Sequence, residues 1–248
     1  MIRAVLFDKD GTLVNFEQTW LPVANRVVES LLQRYDREEP QIAREMLEAI
    51  GVFDVRIDPE GSMAQGTNRD VALDFLPVLR KHTMIPDDEQ FVTQSTALFD
   101  QIAAELPVVP TEEGLPRFFE TLRQRGLIIG LATADSDGSA RQGLRRLGLA
   151  SYFDFIGADN GCWAPKPAPE MMAVFCRQYG LDPQDVAMVG DTPTDLRFGE
   201  GAGAGFLVGV LCGTGSREDL EPLADVIIMN ISDIIDERGA LIWNERGV

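Results

Sequence analysis

From residue 127 onward, short and almost wholly apolar runs alternate with amphipathic helical stretches, and this rhythm restricts the fold more than any other feature. Residues 127–133, 153–156, 186–189 and 206–211 are such runs, with 224–229 as a candidate last strand. A strand that is apolar on both faces belongs in a parallel sheet covered by helices on either side. Helical patterns fall between the runs, at 139–147, 169–179 and 195–200, after one at 112–125 that stops at Gly126. Another apolar run, Val5-Leu6-Phe7, lies near the start. Residues 15–107 separate it from the others, and they read as helical. Trp20, Val23, Ala24, Val27, Val28, Leu31 and Leu32 recur at three- and four-residue spacing, and 42–50, 70–81 and 90–106 repeat the signature. The stretch 51–68, rich in Gly, Asp and Ser, reads as a loop. The expected architecture is α/β: a doubly wound, mainly parallel sheet over residues 1–14 and 110–248, with an all-helical domain, 15–109, inserted after the first strand.

Charge narrows the partners. A formal net charge of −18 leaves no basic excess for nucleic acid or an anionic membrane. No apolar run reaches membrane-spanning length, and the first residues lack the pattern of a secretory leader, so a cytoplasmic protein is expected. Cys162, Cys176 and Cys212 are odd in number and form no CxxC pair, which supports neither a disulfide framework nor a zinc site. The single histidine, His82, lies in a polar helical stretch and is expected at the surface. Oligomeric state is not readable from the pattern.

Chemistry gathers where the apolar runs end. The first run is followed by Asp8-Lys9-Asp10-Gly11-Thr12, and alternation along a strand places Asp8 and Asp10 on one side. Paired carboxylates repel, so a cation or a shared reaction is the natural reason to hold them together. A second run ends at Thr133-Ala134-Asp135, and Lys166 stands between Pro165 and Pro167. A fourth ends in Gly190-Asp191-Thr192-Pro193-Thr194-Asp195. Ordinary alternatives exist for each: a turn for Asp8 and Asp10, a strand end for Thr133, a solvated loop for Lys166, helix caps for Asp191 and Asp195. Ligands of open α/β sheets bind outside the carboxyl ends of strands, which would bring all four segments to one crevice.

The order DxDGT, strand-end Thr, KPxP and GDTxxD resembles the haloacid dehalogenase superfamily, in particular its phosphatases with a helical cap after the first strand. The resemblance runs along the whole chain, although the cap matches only in size, position and helical character. It implies Asp8 as a nucleophile that becomes an aspartyl-phosphate, and Asp10 as the acid and base that serves leaving group and water. It also implies Mg²⁺ held by Asp8, the Asp10 backbone carbonyl and Asp191. Thr133 and the amides after Asp8 would bind the phosphoryl group, Lys166 would pair with it and with Asp8, and Asp195 would support the metal shell or the lysine. Mg²⁺ and Lys166 would then supply the local positive field that the net charge lacks.

The pattern departs from the family at Ala134, where Asn is usual. The backbone N–H survives there while a side-chain amide is lost, and Asp135 is a neighbouring substitute. Asp10 argues against halide displacement, which needs no acid for a leaving alkoxide. A hexose-phosphate mutase shares every core motif and stays open as an alternative. A non-catalytic phospho-ligand or signalling module fits less well, because its phosphate-accepting aspartate would lie on a later strand. The expected partner is a small phosphorylated metabolite. The nearest subfamily resemblance, phosphoglycolate phosphatases, makes phosphoglycolate the first ester to consider. In the inserted domain, Thr67, Asn68 and Arg69 open a helix and could present amides and a cation to an anionic tail, with Arg56 as a similar candidate.

Overall fold

Ala4–Phe7 forms the first strand, β1, and all four of its side chains are buried. Alternation divides them between two cores. Val5 and Phe7 join Phe118, Phe119, Leu122 and Leu144, while Ala4 and Leu6 join Met171, Met172, Phe175 and Leu196. A strand feeding apolar cores on both faces has to lie inside a covered sheet.

The computed structural model describes residues 1–244 except 55, 59, 86, 160 and 162; the side chains of Arg56, Gln65 and Asp159 also lie outside that description, as does Cys162. The chain divides into two compact units, Met1–Asn15 with Val108–Val248, and Phe16–Pro107. After β1, the second unit supplies α1 (Phe16–Arg34), α2 (Pro40–Ala49), β2 (Val52–Phe53), β3 (Arg56–Ile57), α3 (Ser62–Gln65), α4 (Asn68–His82) and α5 (Asp88–Glu105). The first unit resumes with α6 (Leu115–Gln124), β4 (Ile128–Ser136), α7 (Asp137–Arg146), β5 (Phe155–Asp159), α8 (Glu170–Tyr179), β6 (Val186–Gly190), α9 (Pro193–Ala202), β7 (Phe206–Val210), α10 (Arg217–Leu220) and β8 (Val226–Ile228).

In the first unit six strands pair in the order β5-β4-β1-β6-β7-β8, and every pairing is parallel. The chain builds outward from β1 through β4 to β5, then returns to β1's other side at β6. Strand order therefore reverses at β1, the place where a crevice opens at the carboxyl ends of the strands. This is the α/β architecture expected, with one change in β4. That strand continues to Ser136 instead of stopping at Thr133, and its register against β5 shifts between Ala132 and Ser136. Four steps of β4 there oppose two steps of β5, from Gly157 to Asp159. Thr133, Ala134 and Asp135 thus form a bulge, a device that re-aims side chains at a strand end.

The second unit has its own core, in which Val23, Val27 and Leu31 of α1 cluster with Val71, Phe75 and Leu79 of α4 and with Phe91, Phe99 and Ile102 of α5. Phe75 and Phe99 stack with ring centroids 6.1 Å apart. The unit is helical but not wholly so. Within the expected loop, β2 and β3 pair antiparallel, Val52 opposite Ile57, and α3 follows. Strands of two residues are too short for an alternating pattern to register in the sequence. Among the described residues no helix is long and apolar enough to cross a membrane.

Candidate active site

Asp8 lies one residue past β1, its N–H donating to the Val189 carbonyl at 2.8 Å. The chain then folds back on itself. Leu13 and Val14 donate N–H bonds to the Lys9 carbonyl at 2.8 and 2.9 Å, and Gly11 donates to that of Val14 at 2.8 Å. Gly11 has φ +89°, and a Cβ there would stand 2.2 Å from Asp191 Oδ2. Both the turn and the close approach demand glycine.

Asp191 lies one residue past β6 and is fully buried. The Thr12 hydroxyl donates to its Oδ1 at 3.4 Å, and Thr214 donates its N–H at 2.8 Å and its hydroxyl at 3.2 Å to Oδ2. Gly213 approaches so closely that a Cβ would lie 2.0 Å from Oδ2. Asp195 is the third residue of α9, in a capping box with Thr192. The Thr192 N–H and hydroxyl donate to Asp195 Oδ2 at 3.1 and 2.6 Å, which leaves Oδ1 to accept from Lys166. Capping the helix and holding the lysine are here one residue's two tasks, so the choice between them posed by the sequence dissolves.

Lys166, between β5 and α8, joins the cluster. Its Nζ donates to Asp8 Oδ1 at 2.6 Å and to Asp195 Oδ1 at 2.5 Å. Carboxylate oxygens of Asp8, Asp191 and Asp195 lie within 4.8 Å of one another, and all three residues are buried. Three acids thus face one ammonium. Burial, then Asp195, push the Asp8 carboxyl well above the usual range against the pull of Lys166. The same two causes push Asp191 up to about 7, against the Thr214 hydrogen bonds. Burial by itself would lower Lys166, and Asp195 and Asp8 more than reverse that, leaving it above its ordinary value. A buried excess of negative charge on hard oxygen donors fits a divalent cation.

Beside this cluster lies a second buried charge. The Lys9 side chain is 3% exposed, with its Nζ 2.7 Å from Asp10 Oδ2 and 3.0 Å from Asp135 Oδ2. Burial acts to lower its pKa, and Asp10 and Asp135 raise it above the ordinary lysine value. Thr133, on the bulge, is buried, and its Oγ1 accepts the Asp135 N–H at 3.2 Å. Asp8, Lys166, Asp191 and Asp195 are therefore in one cluster, while Asp10 belongs to the ion pair next to it.

The candidates of the inserted unit have partners of their own. Thr67 caps α4 through its box with Asp70, and Asn68 donates to Asp100 Oδ1 at 2.9 Å. Both terminal nitrogens of Arg69 donate to Glu89 at 3.1 Å. Arg56 lies on β3, with its side chain outside the described residues. His82 makes a partly buried contact with Glu45 at 3.1 Å.

Lys9, Thr12 and Thr214 escaped the sequence reading. Gly213-Thr214-Gly215 follows an apolar strand as the recognised motifs do, so attention to the end of β7 would have found Thr214. Nothing comparable marks Lys9, whose flanking carboxylates read as the motif and hid the residue between them.

A family model described as a haloacid dehalogenase-like hydrolase matches residues 2–203. Pyrophosphatase PpaX from Bacillus velezensis is 25% identical over 242 residues, covering 96% of this chain and 97% of its own. Phosphoglycolate phosphatase from Escherichia coli is 29% identical over 162 residues, 62% of each chain. The crystal structure of β-phosphoglucomutase from Clostridium difficile covers 96% of this chain and 95% of its own, at TM-score 0.65 and 18% identity, a likeness of fold.

Proposed function

The chain belongs to the haloacid dehalogenase-like hydrolase family and is a hydrolase, and on that premise we propose that it is a Mg²⁺-dependent phosphatase of a small phosphomonoester. The observation that carries this reading is Lys166 clamped between Asp8 and Asp195, with Asp191 in the same buried cluster. A carboxylate is a weak nucleophile toward a phosphate ester, whose own charge repels it. Lys166 offsets that repulsion and fixes Asp8 Oδ1 in place.

Asp8 attacks phosphorus, a P–O bond to the carboxylate forms, and the bond to the ester oxygen breaks. Asp10 gives its proton to the departing alkoxide. Water then attacks the aspartyl-phosphate, Asp10 takes its proton, and phosphate leaves with Asp8 restored. Asp8, Asp191 and the Asp10 carbonyl would hold the Mg²⁺, which when bound neutralises phosphoryl oxygens. Thr133, at the bulge, is the hydroxyl assigned to the transferring group. Thr12 and Thr214 orient Asp191, and Asp195 holds the lysine. Thr67, Asn68 and Arg69 have no part in this reading, since each is engaged within its own unit.

Phosphoglycolate is the first ester to test, on the motif resemblance and the Escherichia coli relative; pyrophosphate joins the panel because of the Bacillus velezensis one. The experiment is phosphate release from such a panel by wild type and Asp8→Asn, with Mg²⁺ and with EDTA. Turnover that needs both the metal and Asp8 is the expected result. Isomerisation of a hexose phosphate without phosphate release would replace the reading with a mutase.

A further inference from the structure

Lys9 is a buried charge that the reaction above does not use. It lies two residues past β1, in the turn that follows Asp8, and its stem lies beside α7. Gly143 of that helix is its neighbour: a Cβ there would stand in ordinary contact, 3.7 Å from Lys9 Cδ and 3.9 Å from Nζ. The ammonium lies between two carboxylates, 2.7 Å from Asp10 Oδ2 and 3.0 Å from Asp135 Oδ2. Asp135 is itself anchored. Its Oδ2 accepts the Ser139 hydroxyl of α7 at 2.9 Å, and its N–H donates to Thr133 Oγ1 at 3.2 Å. A continuous line of contacts therefore runs from Asp10 through Lys9 to Asp135, ending on the β4 bulge and the first turn of α7.

Stability gives little reason for such an arrangement. A buried ion pair seldom outperforms apolar side chains of the same volume, because desolvation cancels most of the attraction. What it does provide is direction. We propose that Lys9 is the positioning residue of Asp10: held by Asp135, its ammonium fixes Asp10 Oδ2 and so sets where the carboxyl group delivers and collects its proton. The inference rests on the phosphatase reading and deepens it. It also gives Asp135 a task beside Ala134, whose methyl group offers the site no hydrogen bond.

The test compares an alkyl phosphomonoester turned over by the wild type with p-nitrophenyl phosphate, whose leaving group departs without a proton. Lys9→Met should lower kcat/KM on the alkyl ester by about 100-fold, and on the nitrophenyl ester by less than about tenfold. The second step still needs Asp10, so this variant should also release a burst of one nitrophenolate per enzyme before slow turnover. Lys9→Arg, which keeps the charge, should recover most of the alkyl-ester activity. Equal losses on both esters, or no loss on either, would overturn the proposal. If Lys9→Met does not fold, as judged by its melting curve, Asp135→Asn replaces it and should show the same split at smaller size; parallel losses there overturn the proposal too. A wild type that releases phosphate from neither ester removes the phosphatase reading itself, a result distinct from a variant that fails to discriminate.

Discussion

Among the described residues the second unit buries two polar side chains, Thr19 and Ser95, and no charged one. The first unit buries Asp8, Lys9, Asp191 and Asp195, along with Thr12, Thr133 and Thr192. Both units have extensive apolar cores, so the contrast is not one of packing. It reflects what each core is for. A charge removed from water costs free energy that packing alone does not return. The second unit avoids that cost by keeping its ion pairs outside, as at Arg69–Glu89 and Arg26–Glu105. The first unit accepts it at the carboxyl ends of β1 and β6, where three acids share one lysine. Charge in the first unit is buried where the proposed chemistry lies, and in the second it faces solvent.

The largest expected effect comes from the centre of that contrast. Asp8→Asn should reduce turnover by roughly 10⁴-fold or more while leaving the EDTA-treated protein no less heat-stable than wild type, since it relieves crowded negative charge. A large drop in Tm would mean that the cluster is structural, and the contrast would fail. Next is Gly11→Ala. Its Cβ would meet the Asp191 carboxylate in a backbone conformation that resists a side chain, with an expected loss of about 1–3 kcal/mol. Denaturant melts would measure that loss, and a metal titration should show weakened binding alongside it.

A third prediction uses pH. Asp8 and Asp191 have folded pKa values above their unfolded ones, Asp191 at about 7. Raised acids contribute stability that is present at low pH and lost as pH climbs through the folded value. Without metal, then, the cluster weakens the fold from about pH 4 upward. A bound cation requires the charged forms and reverses the loss. The gain in Tm from Mg²⁺ over EDTA should therefore be several degrees larger at pH 8 than at pH 6. Equal gains at both would detach the carboxylates from metal binding. The smallest effect belongs to the second unit. Arg69→Ala should change neither Tm nor KM measurably, because its pair with Glu89 is exposed, at 52% and 72%. A raised KM on phosphoglycolate, with p-nitrophenyl phosphate spared, would move Arg69 from solvated pair to substrate contact.

Much of this was legible in the chain. The apolar runs at 127–133 and 186–189 announced buried parallel strands, because burial on both faces leaves no polar positions to blur the signal. Asp8, Asp191 and Lys166 were visible because each lies just after such a run or between prolines, and Asp195 because it closes the motif that Gly190 and Asp191 open. Less visible were the β2–β3 pair and the extension of β4 to Ser136, since short strands and bulges follow from pairing with a neighbour and have no period of their own. The double role of Asp195 was hidden for a similar reason. A capping box is local, whereas the lysine that takes the remaining oxygen comes from 29 residues away.

By itself the sequence determined the class of fold, the insertion after β1 and the residue types at the strand ends, for those depend on local pattern and composition. Tertiary structure decided which charges meet. Only the parallel pairing of β1 with β4 and β6 brings Asp8 beside Lys166 and Asp191, and only the β4 bulge brings Asp135 to Lys9. Electrostatic interactions in a buried site depend on distances of a few ångströms between residues far apart in the chain, and no periodicity along a sequence encodes them.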